Sequence, residues 1–139
     1  MSEHKYSVCI LAFNSNNHLL VGHTRRITEC SKLVIPSGEV MYGEPMIAAA
    51  RTMRDDVGVQ IDHFKFIETL VDAEGTLYVY MCRIDPAQEG RTCPGAETYV
   101  DKWEWRNIEH ISRRQGICGQ RLSSLLAAIK LLLREVRHG

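Results

Sequence analysis

The chain has 139 residues, 45% apolar and 24% charged, which suits one domain over 1–139 with a single core. Seventeen Lys and Arg balance seventeen Asp and Glu, so no net field draws the protein to nucleic acid or an anionic membrane. That argues against a general nucleic-acid binder, but a local pocket for one small phosphorylated ligand stays open.

Residues 6–13 (YSVCILAF) are rich in β-branched and aromatic side chains and predict a buried strand. The NSNN at 14–17 is a turn, after which 18–23 would pair back as a hairpin. Residues 24–31 are polar and predict a loop, and 32–36 a short strand stopped by proline. The glycine-bearing SGEVMYGE leads to a helix predicted over 45–57. Pro45 suits its first turn, where the missing N–H costs nothing, and Gly58 stops it. Met46, Ala50, Met53 and Val57 recur at helical spacing and are expected to face the core. Residues 63–72 and 76–85 alternate as two strands, 86–97 is a turn-rich loop, and 98–107 alternates again. That alternation sends Trp103 and Trp105 to one face, as core. Residues 119–138 form an amphipathic helix. Together these elements predict an α/β fold with a mixed sheet between the central helix and the C-terminal helix.

The five cysteines, at 9, 30, 82, 93 and 118, show no Cys-x-x-Cys spacing and read as free thiols of a reducing compartment. The N-terminal MSEHKYSV lacks a signal peptide's apolar run. The longest apolar stretch, LSSLLAAIKLLL, carries Lys130 and is too short to span a bilayer. The expected location is therefore cytoplasmic, with no membrane partner. The apolar last helix leaves a homodimer open.

With the Met46 stripe facing inward, about 100° per residue puts Glu44, Ala48, Thr52, Asp55 and Asp56 on one polar arc, bordered by Arg51. Carboxylates on one face suit Mg²⁺ or Mn²⁺, which prefer oxygen ligands, and such a cation can bridge phosphate oxygens. Glycines at the helix entry let backbone approach a ligand. As bare surface, two acids at a helix C-terminus are slightly unfavourable to its dipole.

This segment resembles the Nudix hydrolases. Their box reads Gly, five residues, Glu, seven residues, then Arg-Glu-apolar-x-Glu-Glu-x-Gly-apolar. Gly38 and Glu44 match the first half; Arg51, Met53, Asp55, Asp56, Gly58 and Val59 match the second, with aspartate for both late glutamates. Ser37 stands where a lead-in glycine is usual. Two departures matter: six residues instead of seven separate Glu44 from Arg51, a deletion best absorbed in the loop marked by Gly43 and Pro45, and Thr52 replaces a ligand glutamate.

The resemblance implies a Nudix-like α/β/α sandwich. It implies Glu44, Arg51 and Asp55 as catalytic residues, and Asp55, Asp56 and the Gly38 carbonyl as ligands of Mg²⁺ or Mn²⁺. Tyr42 is the candidate for stacking a base or sugar. Glu97 and Glu39 are candidate extra acids, Glu97 on the substrate side. His23 and His110 are candidate general bases by loop position.

The activity so implied is metal-dependent cleavage of a nucleoside diphosphate linked to another group, with a small-molecule nucleotide or sugar nucleotide as substrate. Some sugar-nucleotide members resembling GDP-mannose hydrolases also lack the first box glutamate. The alternative is a catalytically weakened domain that binds a nucleotide or serves as an interaction module. A plain α/β domain would leave the glycine-acid loop and the acid-bearing helix unexplained.

Overall fold

The computed structural model describes residues 4–24, 33–41, 43–71, 73, 75–93, 95 and 100–108. Its centre is strand β1 (Lys5–Phe13), buried without interruption from Val8 to Phe13. Unbroken burial marks a strand covered on both faces. β1 runs parallel to β6 (Gly75–Arg83), in register from Lys5↔Gly75 to Phe13↔Arg83. The two are joined by a crossover through the central helix.

β6 pairs antiparallel with β5 (Lys65–Val71). Short β4 (Ser37–Glu39) lies antiparallel on the other side of β1, with Gly38 opposite Val8. The expected hairpin with β2 (Leu19–Thr24) touches β1 only at Phe13↔Leu19. β2 then turns to β7 (Val100–Arg106), from Leu19↔Arg106 to Thr24↔Val100, and to β3 (Leu33–Val34). The sheet is therefore mixed, as expected, but β1 prefers β6 as its long partner.

The 14–17 turn is set by Asn14, whose buried side-chain oxygen accepts from the Asn16 and His18 amides at 3.0 and 2.9 Å. The expected loop over 86–97 contains a short helix, α2 (Pro86–Glu89), capped by Asp85 accepting from the Ala87 amide at 3.0 Å. The predicted helix over 119–138 lies outside the described residues. No described helix is long and apolar enough to cross a membrane.

The central helix begins as α1 (Pro45–Thr52) and finishes as a π turn over Met53–Val57. Gly58 closes it at φ +86°, its amide bonding the Met53 carbonyl at 2.9 Å, five residues back. The ends match the expectation; the buried face does not. Met46 is 43% exposed, whereas Ala48, Ala49, Thr52, Met53 and Val57 are buried. The first turns are apolar nearly all round, so the sequence period cannot choose a phase, and packing on β1 and β4 selects the small residues Ala48 and Ala49. Burying Met53 and Val57 contributes about 1.5–3 kcal/mol each.

Two apolar clusters flank the sheet. One joins Val8, Ile10, Leu20, Tyr80 and Trp103 to the helix; the other holds Cys9, Leu11, Phe13, Leu19, Val21 and Ile108 on the opposite face. Cys9 and Cys82 are buried free thiols, as expected.

Candidate active site

The end of the central helix holds the two acids in different environments. Asp55 is exposed and accepts from Arg54 Nε at 2.9 Å; that bond holds its carboxyl below the ordinary aspartate value. Asp56 is half-buried. Burial pushes its carboxyl up, the neighbouring Asp55 charge pushes it further, and Arg51 only partly opposes them. Among the described residues no donor meets the Asp56 carboxylate. A half-buried acid without a hydrogen bond is costly as plain structure and receptive to a cation.

The shared polar arc is not what forms. Thr52 lies in α1 on the same face as buried Ala48 and falls inside, 4% exposed, with its hydroxyl donating to the Ala48 carbonyl at 2.9 Å. Thr52 also lies against Gly38: a Cβ there would meet Thr52 Oγ1 at 2.2 Å. Thus Gly38 allows β4 to press onto the helix, and Thr52 fills the space between. Glu44 is the N-cap, exposed and extended at φ −81°, following Gly43 at φ +85°. It stands outside the helical rotation, so the loop absorbs the missing residue. Arg51 donates to the Glu39 carbonyl at 2.7 Å, tying the helix to β4.

Sequence reasoning missed the support behind the acids. The last carbonyls of a helix lack intrahelical partners. Here Cys93 N–H bonds the Val57 carbonyl at 2.8 Å, while Gly95 N–H and Trp103 Nε1–H meet the Asp56 carbonyl at 3.2 and 2.9 Å. Gly95 cannot be larger: a Cβ would stand 1.9 Å from the Asp55 carbonyl oxygen. The available signal was that a buried indole N–H usually finds an acceptor. Trp103 and Trp105 do share the helix-side core, as the alternation predicted.

His23 is corrected from a loop to β2. Alternation puts it with Leu19 and Val21, on the sheet face away from the helix. Its Nε2 lies 2.8 Å from Glu104 Oε1, and Arg106 contacts the same carboxylate. Burial raises the Glu104 carboxyl, but its hydrogen bonds with His23 and Arg106 outweigh it and leave it lowered. His23 is therefore no base for chemistry at the helix end. Tyr42, Glu97 and His110 lie outside the described residues.

The donors fit a hard divalent cation in kind. Mg²⁺ commonly takes one or two carboxylates and completes its shell with water and substrate phosphate, which Asp56 and Asp55 can supply. Among the described residues no group of three His, Cys, Asp or Glu is gathered to hold a metal. Thr52 is committed to Ala48 and adds no charged ligand.

A family model described as the NUDIX domain matches residues 3–121. No curated protein matches significantly. Among solved structures, a MutT structure from work on Aliivibrio salmonicida and Vibrio cholerae is 14% identical, with TM-score 0.71, covering 91% of this chain and 98% of that one. The NUDIX domain of Shewanella oneidensis NrtR, complexed with ADP ribose, is 12% identical at TM-score 0.68, covering 94% and 90%. A C. elegans Ap4A hydrolase in a binary complex is 15% identical at TM-score 0.68, covering 93% and 98%. At these identities the likeness is one of fold.

Proposed function

The chain belongs to the NUDIX domain family, and from that premise we propose a Mg²⁺- or Mn²⁺-dependent hydrolase of a nucleoside diphosphate linked to another nucleotide or to a sugar. One observation carries the reading: Asp56, half-buried at the helix end, raised by burial and by Asp55, without a hydrogen-bond donor among the described residues. The ADP ribose and Ap4A named for two structural neighbours have the proposed substrate chemistry.

Asp56 and Asp55 would hold the cation, as the two carboxylates such an ion commonly takes. The Gly38 carbonyl is the third proposed donor. When bound, the cation supplies charge neutralisation on phosphate oxygens. Arg51 keeps helix and β4 in register through the Glu39 carbonyl and adds positive charge beside both acids. Glu44, at the entry to the helix, would position the ligands and the phosphate. Tyr42 and Glu97 are proposed on the substrate side. The substrate is a small molecule met in the cytoplasm, and a homodimer is compatible with this reading.

A second reading has its own observation. Thr52 is buried and bonded to Ala48, where an ionic ligand belongs in the family's box. That favours a weakened domain which binds nucleotide without turnover. Incubation with dinucleotides, sugar nucleotides and nucleoside triphosphates, with Mg²⁺ or Mn²⁺, separates the two. Cation-dependent phosphate or nucleotide release supports the hydrolase. Nucleotide binding with no release from any substrate supports the second reading.

A further inference from the structure

We propose that Trp103 is a positioning residue for Asp56, an inference that rests on reading Asp56 as a cation-binding carboxylate. The indole N–H reaches from β7 to the Asp56 carbonyl at 2.9 Å, and the Gly95 amide reaches the same oxygen at 3.2 Å. Two donors from outside the helix thus converge on the backbone of Asp56, the half-buried acid of the helix-end pair.

The wide turn explains the need. In a π segment the hydrogen bonds run five residues back, as from Gly58 to Met53 at 2.9 Å, and such turns concentrate where function demands an odd backbone. The Asp56 carbonyl is among the terminal orphans of the helix. Anchoring that carbonyl sets the plane of the following peptide and, with it, the direction of the Asp56 side chain.

The anchor is itself held. Trp103 is 9% exposed in the helix-side core. It pairs with Gly22 on β2, where a Cβ would stand 2.8 Å from Trp103 Cζ3. Glycine at 22 therefore makes room for the indole to lie across β2. Trp105, on the same strand and face, sends its N–H to the Glu89 carbonyl at 3.4 Å instead. It is a matched control.

Trp103→Phe keeps an aromatic ring in the core and removes the donor; Trp105→Phe removes the other. Both are compared with wild type in the full chain. Mn²⁺ affinity is read by calorimetry, and amide exchange at Gly58 and in β1 is read without metal. The proposal expects Trp103→Phe to weaken Mn²⁺ about tenfold, the lower end for partners of metal ligands. It also expects faster exchange at Gly58 with β1 unchanged, and Trp105→Phe to behave as wild type. Unchanged Mn²⁺ affinity in Trp103→Phe, or equal weakening in both variants, overturns it.

If Asp56→Asn binds Mn²⁺ as wild type does, the cation reading of Asp56 fails. Positioning is then judged on Gly58 exchange, and no change there overturns it as well. Should Trp103→Phe not fold, the sulfur isostere of tryptophan that lacks the N–H is incorporated in the Trp105→Phe background. Position 103 then holds the sole tryptophan codon, since the chain has two tryptophans. The same outcomes decide.

Discussion

Gly38 and Thr52 are fitted to one another: a Cβ on the glycine would meet the threonine hydroxyl oxygen at 2.2 Å. The contact joins β4 to the central helix beside the proposed cation site. It makes the two positions a coupled pair. Gly38→Ala should cost about 1–3 kcal/mol, the usual range for overpacking. In Gly38→Ala/Thr52→Ala the added methyl occupies space the threonine vacates, so the double variant should lose less than the two single losses combined. Urea unfolding of all four proteins checks this; strict additivity would contradict the contact.

Restoring the family's acid at 52 should not restore a ligand. Thr52 is 4% exposed and its hydroxyl is bonded to Ala48. Thr52→Glu buries a longer, ionisable side chain where a small one fits. The expected loss of metal-free stability is about 1–3 kcal/mol, with no gain in hydrolysis rate. Thermal unfolding and initial rates test both parts. A faster variant would mean that the pocket opens to admit the carboxylate.

Asp56 carries opposite consequences for stability and activity. Its carboxyl is raised in the folded chain by burial and by Asp55. The folded state therefore keeps this proton at pH values where the unfolded chain releases it. The associated stability is full below the unfolded value and lost as pH rises through the folded one. At neutral pH the ionised group opposes folding, so Asp56→Asn should stabilise the metal-free protein at pH 7 and change little in strong acid. The same substitution should lower cation-dependent hydrolysis by about 100-fold or more, the scale for losing one electrostatic contact to the transition state. A pH series of denaturant midpoints, with rates at pH 7, measures both effects.

The thiols report the core independently. Burial pushes Cys9 up to about 12, with Glu68 adding to it, and pushes Cys82 up to about 12. Cys93 is exposed. Since the thiolate is the reactive form, iodoacetamide at pH 8 should label Cys93 roughly 100-fold faster than Cys9 or Cys82 or more. Peptide mass spectrometry over time follows each site, and the difference should vanish in denaturant.

Much of the fold was legible because its signals are local. Asn14 turns the chain with its own side chain, Pro45 and Gly58 bound the helix, and alternation on either side of Gly75 marks two strands. What stayed hidden needs partners distant in sequence. Nothing near β1 shows that it would take β6 as its long neighbour and meet β2 at a single register position. Within the helix, Met46 to Ala50 are apolar on every side, so the spacing rule chose Met46 and the sheet chose Ala48 and Ala49.

The candidate site divides in the same way. The order of residues determined that an arginine, two aspartates and a glycine close a helix led in by Gly38 and Glu44, and so placed the chain among the NUDIX proteins. Only tertiary contact decided that Thr52 turns inward against Gly38, that Asp56 is left half-buried, and that Trp103 holds the Asp56 carbonyl. Helix punctuation depends on backbone preferences a few residues long, whereas burial and hydrogen-bond partners depend on which distant strand the chain brings alongside.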